Sequence, residues 1–406
     1  MTDAGCSTED VHRALGEALA AERLRIVATL IRTTGDWDLA EDAVADAAER
    51  ALQRWVVDGI PDRPAAWLTT AARRRAIDVL RRSTTEQAKL AEIAVNDQPN
   101  EAPPPHSAGI DDDRLRLIFT CCHPALSMEA RVGLTLRVVA DVPMAAIGRL
   151  FLTTENTMGQ RLLRAKRKIA NAAIPYRVPP AEALPERLDS VLAVVYLVFT
   201  EGYAAASDDD LAAEAIRLGR LLVELMPDSG EARGLLALML LQHSRRAARV
   251  VDDELVTLED QDRSRWDTDA IGEALRILAA AGPVRGAYLV QAQLAAVHAT
   301  ALDAVSTDWP RIVALYDELQ TLHPSPVVGL NRAIAIGMCD GPLAGLRAIN
   351  TVAPSLPDNH LVHAARGDLL ARAGMVDDAR RELDHAIELA PSEQEQRQLA
   401  RRRDGL

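Results

Sequence analysis

Apolar residues recur every three or four positions in three long zones of the 406-residue chain, and this helical spacing limits the fold more than any other sequence feature. Segment 34–55, "TGDWDLAEDAVADAAERALQRW", starts with a turn or cap signal at Gly35 and Asp36. Its apolar face comprises Leu39, Ala43, Val44, Ala47, Ala48, Ala51, Leu52 and Trp55. Aromatic residues make up only 3% of the chain, whereas the good helix formers Ala, Leu and Arg recur. We predict an all-α fold.

The length exceeds what one ordinary core accommodates, and composition divides the chain into domains. Residues 9–92 and 111–174 are each predicted to form a small helical domain, and residues 180–400 a longer one. Between the first two, the linker 93–110 contains "NDQPNEAPPPHSAG", which is rich in proline and lacks apolar periodicity. This composition predicts a flexible or extended tether.

Two predicted helices concentrate positive charge although the chain has a formal net charge of −13. The segment 71–82, "AARRRAIDVLRR", holds five arginines against one acid, and residues 155–168 hold five basic residues against one acid. A charge run on a helix is commonly a solvated face. Attraction to nucleic-acid phosphates explains the two basic helices together, and the acidic face of residues 36–49 suits a basic protein partner.

The second basic helix follows a shorter helix after a break. Met144, Ile147, Leu150 and Phe151 form the apolar side of the first helix, and either Thr153 or Thr154 can cap the next one. Two short helices joined by a tight turn, the second of them basic, are typical of a helix-turn-helix.

The third zone contains degenerate helical repeats. The segment 363–391 matches tetratricopeptide (TPR) spacing at Gly367, Leu370, Gly374, Ala379, Leu383, Ala386 and Pro391. The segment 330–354 repeats the scheme. A stack of helix pairs with a concave face is therefore predicted.

Several classes of protein are not favoured by the sequence. No run approaches the roughly 18 uncharged apolar residues of a membrane span, and the N-terminus lacks a secretory pattern, so a cytoplasmic protein without membrane contact is expected. The pair in "CCHP" (121–124) is interpreted as small buried residues rather than a metal site, because adjacent helix positions diverge and no second ligand cluster is near. No catalytic motif stands in a plausible setting, so we expect no enzyme, no catalytic residue, no metal and no cofactor.

The chain resembles an extracytoplasmic-function (ECF) sigma factor of bacterial RNA polymerase. The resemblance starts from "DWDLAEDAVADAAERALQRW", "PAAWLTTAARRRAIDVLRR" and the helix-turn-helix pattern of 143–171. It continues through "RLRLIFTCCHPAL", "VVYLVFTEGYAA", "LEDQDRSRWD" and "SPVVGLNRAIAIG", which look like the subgroup with a long TPR-like C-terminal extension. The resemblance implies binding to core RNA polymerase and recognition of the −10 and −35 promoter elements.

The resemblance also assigns roles to individual residues. Those expected on the polymerase-docking helix are Asp38, Glu41, Asp42 and Asp46. Those expected at the −10 element are Arg73, Arg74, Arg75, Asp78, Arg81 and Arg82. Those expected on the −35 recognition helix are Glu155, Asn156, Thr157, Gln160, Arg161, Arg164 and Lys168. Family members often carry Asn where this chain has Arg74. An Asn side chain is suited to reading base edges, whereas Arg is better suited to a phosphate contact.

Other interpretations stay open at this stage. The acidic face of residues 36–49 is either a docking surface or a plain solvated surface. Trp67 either stacks on a DNA base or belongs to the core. "LEDQDRSRWD" (258–267) is either a contact or signal site or a charged loop anchored by Trp266. The extension is expected to contact the sigma domains and to support their activity. The alternative function is a polymerase-independent helix-turn-helix regulator with a TPR sensor, but two DNA-binding domains and an acidic docking helix favour a sigma factor.

Overall fold

The computed structural model describes residues 8–82, 112–204, 209–251, 254–282 and 286–406. Helices dominate these residues, which confirms the all-α prediction at this coarse level. None of the helices in these ranges is long and apolar enough to cross a membrane. The predicted linker 93–110, the end of the first predicted domain (83–92) and Cys6 lie outside the described residues.

The chain divides after Val198 into two compact units. The N-terminal unit contains eight helices in its described part, the last of which runs on into the second unit. They are α1 (Thr8–Thr34), α2 (Trp37–Asp58), α3 (Pro64–Arg82), α4 (Asp113–Cys121), α5 (Met128–Leu134), α6 (Met144–Leu150), α7 (Glu155–Asn171) and α8 (Leu184–Ala204). A π-helical turn, Thr135–Val139, continues α5.

Helices α1, α2 and α3 pack on one another through buried apolar residues. The shared core includes Ile26, Ala40, Val44, Trp55 and Leu68, all of which are buried. Most of the apolar face predicted for α2 is buried. Trp37 and Trp55 are buried on the same helix.

Helix α8 belongs largely to the N-terminal unit. Arg187 on α8 donates to the carbonyl oxygen of Phe119 at 2.7 Å. Ser190 Oγ donates to the carbonyl oxygen of Cys122 at 3.2 Å. These bonds satisfy carbonyl groups at the C-terminal end of α4, which a helix end otherwise leaves open.

The C-terminal unit continues with helices that pack mainly on their sequence neighbours. They are α9 (Asp209–Leu225), α10 (Gly230–His243), α11 (Arg246–Arg249), α12 (Thr268–Ala279), α13 (Ala287–Thr300), α14 (Trp309–Leu322), α15 (Pro326–Cys339), α16 (Pro342–Val352), α17 (His360–Arg372), α18 (Val376–Leu389) and α19 (Glu393–Asp404). Short 3₁₀ turns lie at Arg263–Arg265 and Ala353–Ser355. The antiparallel strands β1 (Val250–Val251) and β2 (Glu254–Leu255) pair Val250 with Leu255.

The segment predicted to form a TPR-like repeat contains the helices α17 and α18, which pack against each other. Ala379, Leu383 and Ala386 are buried between them. A Cβ atom at Gly367 would lie 2.8 Å from Leu383 Cγ, so a larger residue there would push the two helices apart. The assignment to the TPR class itself stays a prediction.

Candidate nucleic-acid and polymerase interfaces

The acidic residues of α2 lie at its N-terminal end. Asp36 caps the helix, because its carboxylate accepts hydrogen bonds from the backbone N–H groups of Asp38 and Leu39 at 3.0 Å. With the apolar stripe turned inward, Asp42 is exposed and Asp38 keeps 65% of its side chain exposed. Glu41 is different, since its side chain is only 14% exposed. The predicted docking acids are therefore not equally available.

Lys166 on α7 accounts for the burial of Glu41. Its Nζ lies 2.7 Å from Asp38 Oδ1 and 2.8 Å from Glu41 Oε2, and its side chain is 13% exposed. Burial by itself would lower the pKa of Lys166, but the carboxylates of Glu41 and Asp38 outweigh that effect and raise the pKa above its ordinary value. The ammonium group therefore stays charged, and it holds both acids.

The arginine-rich helix α3 turns Ala72, Ala76 and Leu80 inward. Of the residues predicted to meet the −10 element, Arg73, Arg74, Asp78 and Arg81 are exposed. Arg82 ends the helix, and its side chain lies outside the described residues.

Arg75 points to α2 instead of standing on that exposed face. Its Nε lies 2.5 Å from Asp46 Oδ2, and the side chains of both residues are 32% exposed. Arg50 also approaches Asp46, at 3.6 Å. The structure thus joins one residue predicted to bind DNA to one predicted to bind polymerase.

Trp67, on the same helix, packs edge-to-face against the buried ring of Trp55. The ring centroids are 5.5 Å apart and the planes meet at 73°. This contact favours the core interpretation of Trp67 over base stacking.

A groove between α1 and α3 adds basic residues that the sequence analysis did not identify. The cavity has a volume of about 590 Å³, and its walls carry Arg25, Arg32, Arg63 and Arg73 together with four threonines. Arg25 and Arg32 are seven residues apart, which places them on one face of a helix. The sequence could have indicated a basic face of α1 from this spacing. It does not reveal that α3 packs opposite that face and forms the other wall of the groove.

The turn between α6 and α7 is tight, and its geometry settles which threonine caps the second helix. Thr154 Oγ1 accepts from the N–H group of Thr157 at 3.2 Å, whereas Thr153 donates its N–H to the carbonyl oxygen of Gly148 at 2.9 Å. A Cβ atom at Gly148 would lie 3.0 Å from the carbonyl oxygen of Thr153. Glycine at this position therefore allows α6 to approach the turn closely.

Helix α7 buries Met158, Leu162, Ala165 and Ile169. The predicted recognition residues that are exposed are Glu155, Asn156, Thr157, Gln160, Arg164 and Lys168. Arg161 is half-buried, with one nitrogen 3.6 Å from Glu129. Lys168 donates to the carbonyl oxygen of Ala125 at 2.5 Å. The role of these side chains in DNA recognition stays a prediction.

The paired cysteines lie inside the N-terminal unit. Cys121 and Cys122 are both buried, and Cys122 Sγ lies 3.4 Å from Thr135 Oγ1. Burial raises the pKa of Cys122 to about 11, so its thiol is protonated near neutral pH. Among the described residues, no group of three or more His, Cys, Asp and Glu side chains has the arrangement of a metal site.

The charged segment 258–267 of the C-terminal unit is anchored by Trp266, which is buried. The Arg263 guanidinium lies 4.5 Å from the centroid of the Trp266 ring and donates to the carbonyl oxygens of His298 and Ala301. Glu259 and Arg263 also line a cavity of about 630 Å³ within this unit. Both earlier interpretations therefore retain support, since the segment is an anchored loop that borders a cavity.

Comparisons with known protein families identify the first three helices. Residues 19–86 match the model of sigma-70 region 2, and residues 187–282 match a family of unknown function, DUF6596. The chain therefore contains a sigma-70 region 2 domain, of which α2 and α3 are part.

Two similar proteins match longer parts of the chain than the region 2 model does. Over 390 residues it is 41% identical to the uncharacterized protein R00370 of Rhizobium meliloti, covering 93% of this chain and 92% of that protein. The chain belongs to the same family as that rhizobial protein. Over 174 residues it is 28% identical to the probable ECF RNA polymerase sigma factor SigI of Mycobacterium tuberculosis, covering 42% of this chain and 59% of that protein. No solved structure matches the chain.

Proposed function

We propose that this protein is an ECF-type sigma factor, which binds core RNA polymerase in the cytoplasm and directs transcription initiation at promoters with −10 and −35 elements. The observation that carries the proposal is the sigma-70 region 2 domain at residues 19–86. The more distant similarity to a probable ECF sigma factor supports it.

In this proposal the acidic end of α2 docks on the polymerase. Asp42 supports this role best, because it is exposed and does not take part in the Lys166 contact. Replacing Asp42 by Lys should weaken binding to core polymerase. Glu49→Lys is a matched control, since Glu49 is also an exposed acid of α2 but lies outside the docking set. Equal affinities of the two variants in a titration would contradict the docking role.

Promoter DNA is proposed to contact the exposed face of α3 and the neighbouring groove. Arg73 belongs to both, and Arg25 and Arg63 extend the positive charge across the groove towards α1. Where a duplex opens, unstacked strands need a cationic path for their phosphates. The groove, with its arginines and threonine hydroxyls, has the chemistry to guide such a strand.

The pair α6–α7 is proposed to act as region 4. Asn156 and Gln160 lie towards the N-terminal end of α7 and are exposed, as base-reading side chains of a recognition helix must be. Arg164 lies further along the same helix, where phosphate contacts are expected.

The C-terminal unit is proposed to be a TPR-like regulatory extension that supports the sigma domains. The cavity of about 630 Å³ inside it lies within the size range of ligand sites. Its lining includes Trp309, Asp368 and Arg372 besides the segment 258–263, so it combines an aromatic wall with charged groups.

Reconstituted transcription tests the proposed function. Core polymerase is combined with this protein on the promoter region of its own operon, and a reaction without the protein is the control. Promoter-dependent initiation is expected only when the protein is present. DNA binding without polymerase binding or initiation would instead favour the alternative of a polymerase-independent regulator with a TPR sensor.

A further inference from the structure

The N-terminal unit brings the docking acids of α2 against a helix more than one hundred residues away in the chain. Lys166 on α7 forms two short ion pairs, with Asp38 and Glu41. Glu41 Oε1 is buried without a hydrogen bond, and the Nε of Arg137 lies 3.4 Å from it. A buried carboxylate without these cations is costly, so the acid and the bases hold each other in place.

A second group of contacts joins α1 to the π-helical turn that follows α5. Arg23 lies 2.7 Å from Asp141 and donates to the carbonyl oxygen of Val138 at 3.2 Å. Asp141 adopts a left-handed backbone conformation, with φ of 59°, which presents its carboxylate between Arg23 and Arg137. π-helical turns are rare and are frequent at functional sites.

A third group of contacts involves the start of α4. Asp113 accepts hydrogen bonds from Thr29 and Arg32 of α1, each at 3.0 Å. Tyr176, beyond α7, donates its hydroxyl to the carbonyl oxygen of Ala28 at 2.8 Å. The contact between residues 8–82 and residues 113–176 is therefore distributed over α1, α2, α4 and α7, with Lys166 at the docking acids.

We propose that this contact is an autoinhibitory clasp, in which Lys166 occupies the acidic face of α2 that core polymerase needs. This inference rests on the proposed function, because that function assigns Asp38 and Glu41 to docking. The clasped protein presents Asp42 to a partner, but Asp38 and Glu41 become available only when α7 leaves α2. Polymerase binding and the clasp thus exclude each other.

Charge exchange gives the clasp its reversibility. When the clasp opens by itself, Asp38 and Glu41 lose the cation with which they were paired. A basic partner surface supplies cations of its own in place of Lys166. The cost of opening is then offset by the binding that follows. Because only the open fraction binds, the apparent dissociation constant equals the intrinsic one divided by that fraction.

Carbodiimide cross-linking tests the clasp in the full-length, unmodified protein. This zero-length reagent joins an ammonium group to a carboxylate in direct contact, so mass spectrometry should find Lys166 linked to Asp38 or Glu41. The link should diminish when saturating core polymerase is added first. Its absence from the free protein would overturn the inference whatever the function is.

The affinity for core polymerase, measured without DNA, tests the inhibitory effect. Lys166→Gln should bind about tenfold more tightly than the unchanged protein, the size expected when charge-assisted hydrogen bonds that close the clasp are lost. Arg167→Gln is the matched control, because it removes the same charge from an exposed neighbouring position. Lys166→Arg keeps the charge and should stay clasped.

The outcomes separate the clasp from the proposed function. Equal affinities of Lys166→Gln and Arg167→Gln would overturn the inhibitory role even if the cross-link forms. A cross-link in the free protein together with no polymerase binding by any variant would refute the proposed function, and with it the inhibition of docking.

Discussion

Arg74 and Arg75 are adjacent arginines that the tertiary structure predicts to behave differently. The sequence resemblance assigns both to the −10 element. In the structure, however, Arg74 is exposed, whereas Arg75 is paired with Asp46. We expect Arg74→Ala to weaken promoter binding by the holoenzyme without changing stability. We expect Arg75→Ala to lower stability and to change DNA binding little.

The expected magnitudes follow from the geometry. The Arg75–Asp46 pair has a short contact of 2.5 Å between half-buried side chains, so it belongs at the upper end of the range measured for accessible ion pairs. Its loss should lower the free energy of unfolding by about 1 kcal/mol. Arg50 remains near Asp46 and prevents a larger loss. For Arg74→Ala, one phosphate contact fewer should reduce the slope of log affinity against log salt by about 0.7 to 0.9.

Two measurements on each variant check this prediction. Urea unfolding followed by tryptophan fluorescence reports on the first helices through the buried Trp37 and Trp55, together with the buried Trp266 of the C-terminal unit. Fluorescence anisotropy with labelled promoter DNA and polymerase gives the affinity at several salt concentrations. The reasoning is refuted if Arg75→Ala weakens DNA binding as much as Arg74→Ala and leaves the urea midpoint unchanged.

Further predictions concern α7 and the length of the chain. Thr154→Ala removes the N-cap of α7 and should cost about 1 kcal/mol of stability, measured by urea unfolding, and an unchanged midpoint would contradict the cap. Arg161→Ala should change which −35 sequences are selected from a DNA library, whereas Lys168→Ala should weaken all of them alike; equal shifts in sequence preference would refute the placement of α7. A chain ending at Pro179 lacks α8 and should be less stable than one ending at Tyr203, as judged by thermal melting monitored by circular dichroism. The chain ending at Tyr203 should fold but direct less promoter-dependent transcription, and full activity would contradict a supporting extension.

Much of the local structure could be predicted from the sequence. The spacing of Ala43, Val44 and Ala47 predicted which face of α2 is buried, because helical periodicity depends only on neighbours within a few turns. The turn or cap signal at Gly35 and Asp36 came from the same short-range information, and Asp36 provides the cap. The choice between Thr153 and Thr154 was left open, since both residues can cap and only the backbone path of the turn distinguishes them.

The partners of the charged residues could not be predicted in the same way. Arg73, Arg74 and Arg75 are alike as a sequence run, and only the packing of α3 on α2 gives Arg75 an acid to pair with. The groove between α1 and α3 likewise depends on helices whose facing arginines, such as Arg25 and Arg73, are far apart in the chain.

The sequence by itself determined that the chain is helical, where its amphipathic helices lie and that two of them are basic. Those properties follow from short-range backbone preferences and from the alternation of apolar and polar residues. The tertiary structure decided that Lys166 meets Asp38 and Glu41 across more than one hundred residues of chain. No local pattern encodes such a meeting, because the pairing depends on how α7 and α2 pack, and packing is set by the shapes of whole helices rather than by the charges they carry.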